Sequence, residues 1–355
     1  MITIVDPVST GRELSASFVE RGVLPLHLYQ RRCAPAFAAG THPHTLLVDD
    51  PREALGDLAA RGVTAVVAGS RGAVDAADTL SHALGLPHHD AATAPARGDD
   101  AARDDALGAA GLPVARGPVG GPRFVVNTVS AGGRHALCDL QAVRIDRVAG
   151  GPVERHTVLI RRATAVHLAV VAHVSHCLDA LGVREGPAHC TVAMTGDGPR
   201  LVGFAPTLTP ASQDPSLHRP ALGYSHADLT AERFADPAAF ALRFTDPYRP
   251  DASVATVPLH VPAAGVVTGR PGLAALRALP GFHRAEGLLE VGDPARENGP
   301  AGTAYLRHPD EAVLRRSLKR LHRLEDRGQI YDVLAPRRSA APQPTRETTK
   351  ECDGS

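Results

Sequence analysis

The stretch of residues 124–209 constrains the fold more than any other part of the sequence. It contains two strand–turn–strand patterns that flank a helical run over residues 167–181. The first pattern turns at Gly132-Gly133 and the second at Gly196-Asp197-Gly198, and short glycine-rich turns between apolar runs are typical of β-hairpins. The apolar positions are Val125, Val126, Val129 and Leu137 in the first pattern, and Val192, Met194, Leu201 and Val202 in the second. A helix between two hairpins predicts an antiparallel sheet with a helix on one face.

Residues 1–90 show a different alternation. Short apolar runs at 2–5, 23–29, 45–48 and 63–68 alternate with helical patterns that end at glycines. This order predicts a doubly wound α/β domain with a parallel sheet.

The turn after the first strand carries Ser9 and Thr10. Open α/β sheets bind ligands at the carboxyl ends of their strands, so both residues are ligand-binding candidates. The turn lacks the G-x-G-x-x-G pattern, which argues against a dinucleotide site.

Charge and cysteine content exclude several classes of protein. The chain has 38 basic and 38 acidic residues, so nothing favours nucleic acid or an anionic membrane as a partner. No apolar run reaches the ~20 residues that span a bilayer, and the first residues lack the basic segment of a signal peptide. The five cysteines are scattered without a C-x-x-C pair. We therefore expect reduced thiols in a cytoplasmic protein.

Several phrases resemble the carboxylate–amine ligase branch (L-amino-acid type) of the ATP-grasp superfamily. They are NTVS (127–130), GRH (133–135), LDALG (178–182), GPAH (186–189) and DGPRLV (197–202), and the opening at residues 6–23 is similar too. The resemblance implies a Rossmann-like pre-ATP-grasp domain over 1–90, a helix and linker over 91–123, and an α+β ATP-grasp-like domain with an antiparallel sheet and a closing subdomain over 124–334. Residues 335–355, rich in Pro, Arg, Ser and Thr, are predicted to be a disordered tail.

Four local features are predicted outside the two hairpins. Residues 100–110 should form a helix that ends at Gly111, and residues 213–224 should form a loop. A helix is expected near residues 236–243. A further helix should begin after Asp310, which caps it, and end at Gly328.

In such ligases a nucleotide-binding lobe with two phosphate-binding lysines follows the first domain. Here Leu112-Pro113 leads almost directly to Arg123, and only two basic residues of the chain are lysines, Lys319 and Lys350. The resemblance therefore implies a truncated, degenerate member from which the lobe is deleted.

The residues that hold magnesium in such ligases are also replaced. The resemblance puts the two metal carboxylates at Thr191 and Gly203, and a basic residue at Thr207. A threonine hydroxyl is a weak neutral ligand and glycine has no side chain, whereas Mg²⁺ requires hard oxygen ligands. We therefore expect no catalytic residues and no metal site of the usual kind.

Four further residues are ligand-binding candidates. Arg134 and His135 follow the Gly132-Gly133 turn, where they form either a solvated turn or an anion site shared with Asp139. His189, at the end of the GPAH phrase, is either a hydrogen-bonded histidine at a strand start or a ligand-binding residue.

Two cysteine–histidine arrangements are weaker evidence for a metal site or a catalytic pair. His173, His176 and Cys177 have helical spacing compatible with metal ligands, but neither an H-E-x-x-H motif nor a second Cys pair accompanies them. Cys190 and His189 are adjacent in a strand and point to opposite faces, so a buried structural cysteine is the expected state.

Three functions remain open. The first is a degenerate, non-catalytic ligase-like protein that binds a small-molecule ligand, a protein partner or a second copy of itself, with no cofactor, in specialised amino-acid or peptide metabolism. The second is an active carboxylate–amine ligase, dependent on ATP and Mg²⁺, with a rearranged or partner-completed site. The third is another enzyme that reuses the interdomain cleft.

Overall fold

The computed structural model describes residues 1–8, 10–32, 44–115, 117, 119–148, 151–209 and 215–335. The beginning of the chain forms a parallel sheet with strand order β3-β2-β1-β4. The strands are β1 (Ile2–Val5), β2 (Leu26–Gln30), β3 (Thr45–Val48) and β4 (Ala65–Ala68), and the helices are α1 (Thr10–Glu20), α2 (Leu55–Ala60) and α3 (Val74–Ala83). The predicted α/β arrangement with a parallel sheet is confirmed.

Two short helices lead to the second sheet. They are α4 (Ala94–Gly98) and α5 (Asp100–Ala109), and Gly111, with a φ of 74°, follows α5 as the sequence predicts. In the described part of residues 110–122, the only regular pairing is a single parallel bridge between Val114 and Leu201. This segment joins α5 to the first strand of the second sheet.

The second sheet has eight strands, and all of its neighbouring strands are antiparallel. Its order is β12-β14-β10-β7-β6-β5-β8-β9. The strands are β5 (Arg123–Ala131), β6 (Arg134–Val148), β7 (Gly151–Leu159), β8 (Gly186–Thr195), β9 (Gly198–Ala205), β10 (Ser253–Val261), β12 (Phe282–Glu286) and β14 (Gly299–His308). Gly132 and Gly133 have φ values of 57° and 79°, which glycine adopts without strain. Both predicted hairpins are present, as the β5–β6 and β8–β9 pairings.

One face of this sheet is covered by α6 (Ala165–Ala180) and α11 (Glu311–Asp326). Leu178 of α6 and Leu321 of α11 are fully buried, and burial of one such side chain stabilises the fold by about 1.5–3 kcal/mol. The predicted start of α11 is confirmed, because the Asp310 side chain accepts hydrogen bonds from the backbone of Ala312 and Val313. A small sheet of β11 (Gly265–Gly269), β13 (Pro294–Ala295) and β15 (Asp332–Leu334), together with α10 (Leu273–Arg277), completes this end.

In the part of the chain that the structure describes, the opposite face carries helices at one end. These are α7 (Pro215–Leu222), α8 (His226–Ala235) and α9 (Pro237–Ala241). Helix α8 also packs on the first sheet, where its Ala231 lies in one core cluster with Ile4 of β1 and Phe18 of α1. Ser17 of α1 donates a hydrogen bond to Asp228 of α8 over 2.9 Å. The two sheets are therefore joined through α8.

The structure corrects the prediction for this region. Residues 213–224 were expected to form a loop, but Pro215–Leu222 is helical with Pro220 inside the helix. Leu217 and Ala221 are buried in a cluster with residues of β7, β10 and β14, so tertiary packing overrides the local preference. The helix expected near residues 236–243 consists of α9 and a short 3₁₀ turn, and it follows α8, which the sequence analysis missed.

No helix in the described ranges is long and apolar enough to cross a membrane.

Candidate functional site

The sheet-face cleft, of about 420 Å³, lies on the face of the eight-stranded sheet opposite α6 and α11. Alternate residues of a strand point to the same face, so the lining comes from many strands. The lining residues are Val125, Gln141, Glu154, Thr157, His189, Thr191, Thr209, His218, Thr256, Pro258, Glu286, Thr303 and Tyr305. The cleft is therefore polar and rich in threonine.

A buried carboxylate lies beneath the cleft. Asp139 is fully buried, and both of its oxygens accept hydrogen bonds from Asn127 Nδ2, over 2.9 and 3.0 Å. Gln141 Nε2 donates to Asp139 Oδ1 over 2.6 Å. A carboxylate only accepts hydrogen bonds, so both amide side chains turn their NH₂ groups towards Asp139 and their carbonyl oxygens away from it.

His189 takes its orientation from the same network. Its Nδ1 lies 2.8 Å from Asn127 Oδ1, which also accepts from Thr209 Oγ1 over 2.9 Å. Because Asn127 Oδ1 has no hydrogen to give, His189 Nδ1 is the donor, and the neutral ring has its lone pair on Nε2. Burial, and secondarily His226, lower the pKa of His189 to about 4 against the opposing charge of Asp139, so His189 is neutral at pH 7.

The two positions that the resemblance assigns to metal carboxylates lie opposite each other on neighbouring strands. Thr191 of β8 pairs with Gly203 of β9, and a Cβ atom added to Gly203 would lie 3.4 Å from Thr191 Cβ. Thr207 is buried, and its hydroxyl donates to the Leu208 carbonyl over 3.3 Å. None of the three side chains carries a charge.

The charged groups of the described lining are acidic. They are Glu154, which accepts from Thr157 Oγ1 over 2.8 Å, and Glu286, which pairs with Arg284 and accepts from the Tyr305 hydroxyl. The described lining contains neither lysine nor arginine. Lys319 lies on α11, which covers the other face, and Lys350 lies outside the described residues.

Arg134 and His135 lie apart from this cleft. The Arg134 guanidinium stacks on the Phe244 ring at 4.0 Å, and His135 bonds to Ser130 Oγ over 2.7 Å and to Asp179 over 3.2 Å. Burial lowers the pKa of His135, and the bond to Asp179 opposes this shift. Both residues lie next to the Gly132-Gly133 turn, where they pair with Ala131 and Ser130, whereas Asp139 pairs with Asn127 further along the hairpin. The structure therefore does not bring the three residues together, and their shared anion site stays a prediction.

The predicted site at the first strand is only partly described. Ser9 lies outside the described residues, and Thr10 is largely buried at the start of α1. Gly11 packs so closely on the loop after β4 that an added Cβ would lie 2.3 Å from the Gly69 carbonyl oxygen. Thr10 does not line the sheet-face cleft, and its predicted ligand contact stays a prediction.

The cysteines have structural surroundings. His173 Nε2 lies 3.4 Å from Cys177 Sγ on α6, whereas His176 is exposed. Burial raises the pKa of Cys177 to about 12 and that of Cys190 further, so both are protonated and unreactive at neutral pH. Cys138, Cys177 and Cys190 are free and buried. Within the described ranges, no three metal-ligating side chains come together.

A larger groove, of about 770 Å³, lies between α3 and α4. Its buried Arg97 pairs with Asp78 over 2.8 Å and donates to the carbonyls of Asp90 and Leu181. These bonds tie α4 to α3 and to the C-terminal end of α6, so Arg97 has a structural role and its charge is paired.

Sequence reasoning missed Asn127, Gln141, Thr209 and the two glutamates of the cleft. The available signal was the interruption of apolar strands by uncharged amides, as Asn127 interrupts Phe124, Val125, Val126 and Val129. Such a residue in a buried strand requires a hydrogen-bonding partner.

The fold is that of ATP-grasp carboxylate–amine ligases, as the resemblance implies. An L-amino acid ligase from Bacillus licheniformis matches with a TM-score of 0.71 and 14% identity, over 94% of this chain and 98% of that chain. A phosphoribosylglycinamide synthetase from Anaerococcus prevotii matches with a TM-score of 0.64 and 9% identity, over 94% and 99%. An N5-carboxyaminoimidazole synthase from Aspergillus clavatus, in complex with ADP and 5-aminoimidazole ribonucleotide, matches with a TM-score of 0.63 and 10% identity, over 92% and 98%.

At these identities, the likeness establishes the fold alone. No model of a protein family matches the sequence, and no curated protein matches it.

The residues of the cleft do not fit the Mg²⁺ and ATP that the fold implies. Mg²⁺ needs carboxylate oxygens in near-octahedral geometry, and a triphosphate needs cations to offset its charge. The Thr191 and Gly203 pair supplies no carboxylate. Glu154 and Glu286 line the cleft, but Glu286 is engaged by Arg284 and Tyr305, and neither glutamate belongs to a described group of three metal-ligating side chains. The cleft also presents the acceptor atoms Gln141 Oε1 and His189 Nε2.

Proposed function

We propose that this protein is an ATP-grasp-fold binding protein that does not perform conventional ATP- and Mg²⁺-dependent ligation. In this proposal it is a pseudoenzyme that uses the sheet-face cleft to hold a small molecule. The single observation that carries the proposal is the uncharged Thr191–Gly203 pair at the cleft wall.

The surrounding charge supports the proposal. Two negative groups brought together at 4 Å repel by about 4 kcal/mol at an effective dielectric of 20. A triphosphate in the cleft would meet the Glu154 carboxylate, since the other acidic residue, Glu286, is paired with Arg284. The described lining itself offers no lysine or arginine. Without a metal ion, this repulsion disfavours a bound nucleotide.

We further infer that the chain lacks a separate nucleotide-binding lobe between α5 and β5. Support comes from the short segment of residues 110–122, whose described part contains no strand or helix. The alignments cover 98% and 99% of the neighbouring ligases and give no support for a deleted lobe. The inference therefore rests on the length and content of this segment alone.

A role as the accessory subunit of a catalytic partner, or as a homodimer, is part of the same proposal. Such a protein would keep the fold of a ligase and deliver or sequester the small molecule. Co-purification from the native source tests this role, since a chain that remains monomeric and associates with no ligase contradicts it.

The second candidate is an active carboxylate–amine ligase whose ATP and Mg²⁺ contacts come from a partner or from a rearranged site. The observation in its favour is the end-to-end likeness to the L-amino acid ligase, over 98% of that chain. The third candidate, another enzyme with the polar set Arg134, His135, Asp139 and His189, is not favoured, because the first two residues lie apart from the others.

Isothermal titration calorimetry with Mg-ATP, with EDTA as control, separates the first two candidates. We expect no Mg²⁺-dependent heat at protein concentrations that would reveal micromolar affinity. Mg²⁺-dependent binding in that range, or formation of ADP with an amino acid mixture, would overturn the proposal and favour the ligase.

A further inference from the structure

We propose that the sheet-face cleft binds an organic cation, whose ammonium or guanidinium N–H groups donate to acceptor atoms that Asp139 holds in place. This inference rests on the proposed binding function and names the ligand class of the same cleft.

The first step concerns the polarity of the cleft floor. Asp139 draws the NH₂ groups of both Asn127 and Gln141 towards itself. Gln141 is only 8% exposed and lines the cleft. Its carbonyl oxygen has no partner among the described residues. The amide therefore presents an acceptor to the cleft.

The second step concerns His189, which lies on the neighbouring row of the same face. Asn127 Oδ1 accepts the Nδ1 hydrogen of His189. The Nε2 lone pair then remains, and no described residue donates to it. Val125 lies between the strands of the two acceptors. It pairs with Gln141 on one side and with Thr191, two residues from His189, on the other.

The third step concerns charge. Thr157 holds the Glu154 carboxylate by a hydrogen bond of 2.8 Å. Thr157 stands two residues from Leu159, the partner of Gln141 in the β6–β7 pairing, which corresponds to about 7 Å along the strand. A short diamine with one ammonium group at Gln141 Oε1 would therefore have its second ammonium group near the Glu154 carboxylate.

This combination distinguishes the ligand classes. Acceptor atoms and an uncompensated carboxylate attract an organic cation and repel phosphates and carboxylates. A bare metal ion would leave most of the 420 Å³ empty, and the described residues bring no three metal ligands together. An extended organic cation suits both the volume and the polarity.

The test uses the full-length protein with 1,4-diaminobutane and agmatine as probes and 1,4-butanediol as the uncharged control. Calorimetry should give at least tenfold tighter binding of one of the cations than of the diol, as expected for charge-assisted hydrogen bonds. Glu154 is exposed, so Glu154→Gln should weaken binding of the cation by about two- to fivefold, as for other exposed ion pairs. The matched control Glu311→Gln, on the opposite face, should leave binding unchanged.

A second measurement does not depend on any variant. In ¹⁵N NMR of histidine-labelled protein, His189 should show the neutral Nδ1–H form, and the Nε2 resonance should move when the cation binds. The opposite tautomer, equal binding of the diol, or absence of binding by both cations at millimolar concentration would overturn the inference. Mg-ATP binding in the same experiments would overturn the proposed function, whereas failure of the cations alone leaves that function standing.

Discussion

Thr191 and Gly203 are cross-strand neighbours, and a Cβ atom added to Gly203 would meet Thr191 at ordinary van der Waals distance. The double variant Thr191→Asp/Gly203→Asp should therefore place two carboxylates side by side. Like charges in direct opposition should lower the free energy of unfolding by about 1 kcal/mol, and millimolar Mg²⁺ should restore it. Thermal unfolding with and without MgCl₂ measures both effects. The wild-type protein and the Asn/Asn double variant are the controls, and a Mg²⁺ response in either would contradict the interpretation.

Removal of the Asp139 charge beneath the cleft should destabilise the fold. In Asp139→Asn, one carboxylate oxygen becomes an NH₂ group that faces the donors of Asn127 and Gln141. We expect the free energy of unfolding to fall by about 1–3 kcal/mol, the usual effect of a mismatched buried hydrogen bond. Urea denaturation measures it. Asp179→Asn is the control, because Asp179 is 61% exposed, and an equal loss in the control would remove the special role of Asp139.

Acid should weaken the contact between α1 and α8 through Asp228. Burial by itself raises the pKa of Asp228, but hydrogen bonds from Arg219, Ser225 and Ser17 outweigh it and lower the pKa to about 2. The folded-state pKa lies below the unfolded one, so this contribution is complete above pH 4 and disappears as the pH falls towards 2. Its size is about 2 kcal/mol.

The difference in unfolding free energy between wild type and Asp228→Asn should therefore be largest near neutral pH and shrink below pH 4. A difference that stays constant across this range would show that the ionisation of Asp228 does not stabilise the fold.

His89 should confer a second, separate acid sensitivity. Its Nδ1 accepts the backbone N–H groups of Arg184 and Glu185, over 3.1 and 3.4 Å. Burial lowers its pKa to about 4, and Asp78 partly opposes this. The unfolded chain binds more protons between pH 6.5 and 4, so this contribution to stability is complete above pH 6.5. It falls by about 3 kcal/mol as the pH is lowered through this window.

In His89→Asn, an amide oxygen can replace the accepting nitrogen without titrating. This variant should fold and lose the pH dependence between 6.5 and 4, as measured by urea denaturation at several pH values. A variant with the wild-type slope would assign the effect to other histidines, such as His156, whose pKa burial also lowers to about 4.

The sequence predicts features that depend on a few neighbouring residues. The Gly132-Gly133 turn, the Asp310 cap and the end of α5 near Gly111 follow from local chemistry, and all three are present. Helix α7 could not be predicted in this way, because Pro220 lies inside it and its stability comes from Leu217 and Ala221 against distant strands.

The site shows the same division between local and distant information. Asp139 and His189 were predicted as polar candidates, but their link through Asn127 depends on a register shift in the β5–β6 pairing, between Asn127 and Thr128. This irregularity sets Asp139 opposite Asn127. A bulge of this kind leaves no clear mark on the alternation of apolar residues, so the partners of Asp139 could not be predicted from the sequence.

The position of α8 has a consequence for biosynthesis. Ala231 closes over Ile4 and Phe18, so the amino-terminal sheet emerges from the ribosome long before the helix that completes its core. Until residues 226–235 are made, the face of that sheet that carries α1 stays only partly covered and prone to association with other nascent chains. A fragment that stops at residue 90 should therefore require a chaperone or a supplied α8 peptide to stay in solution.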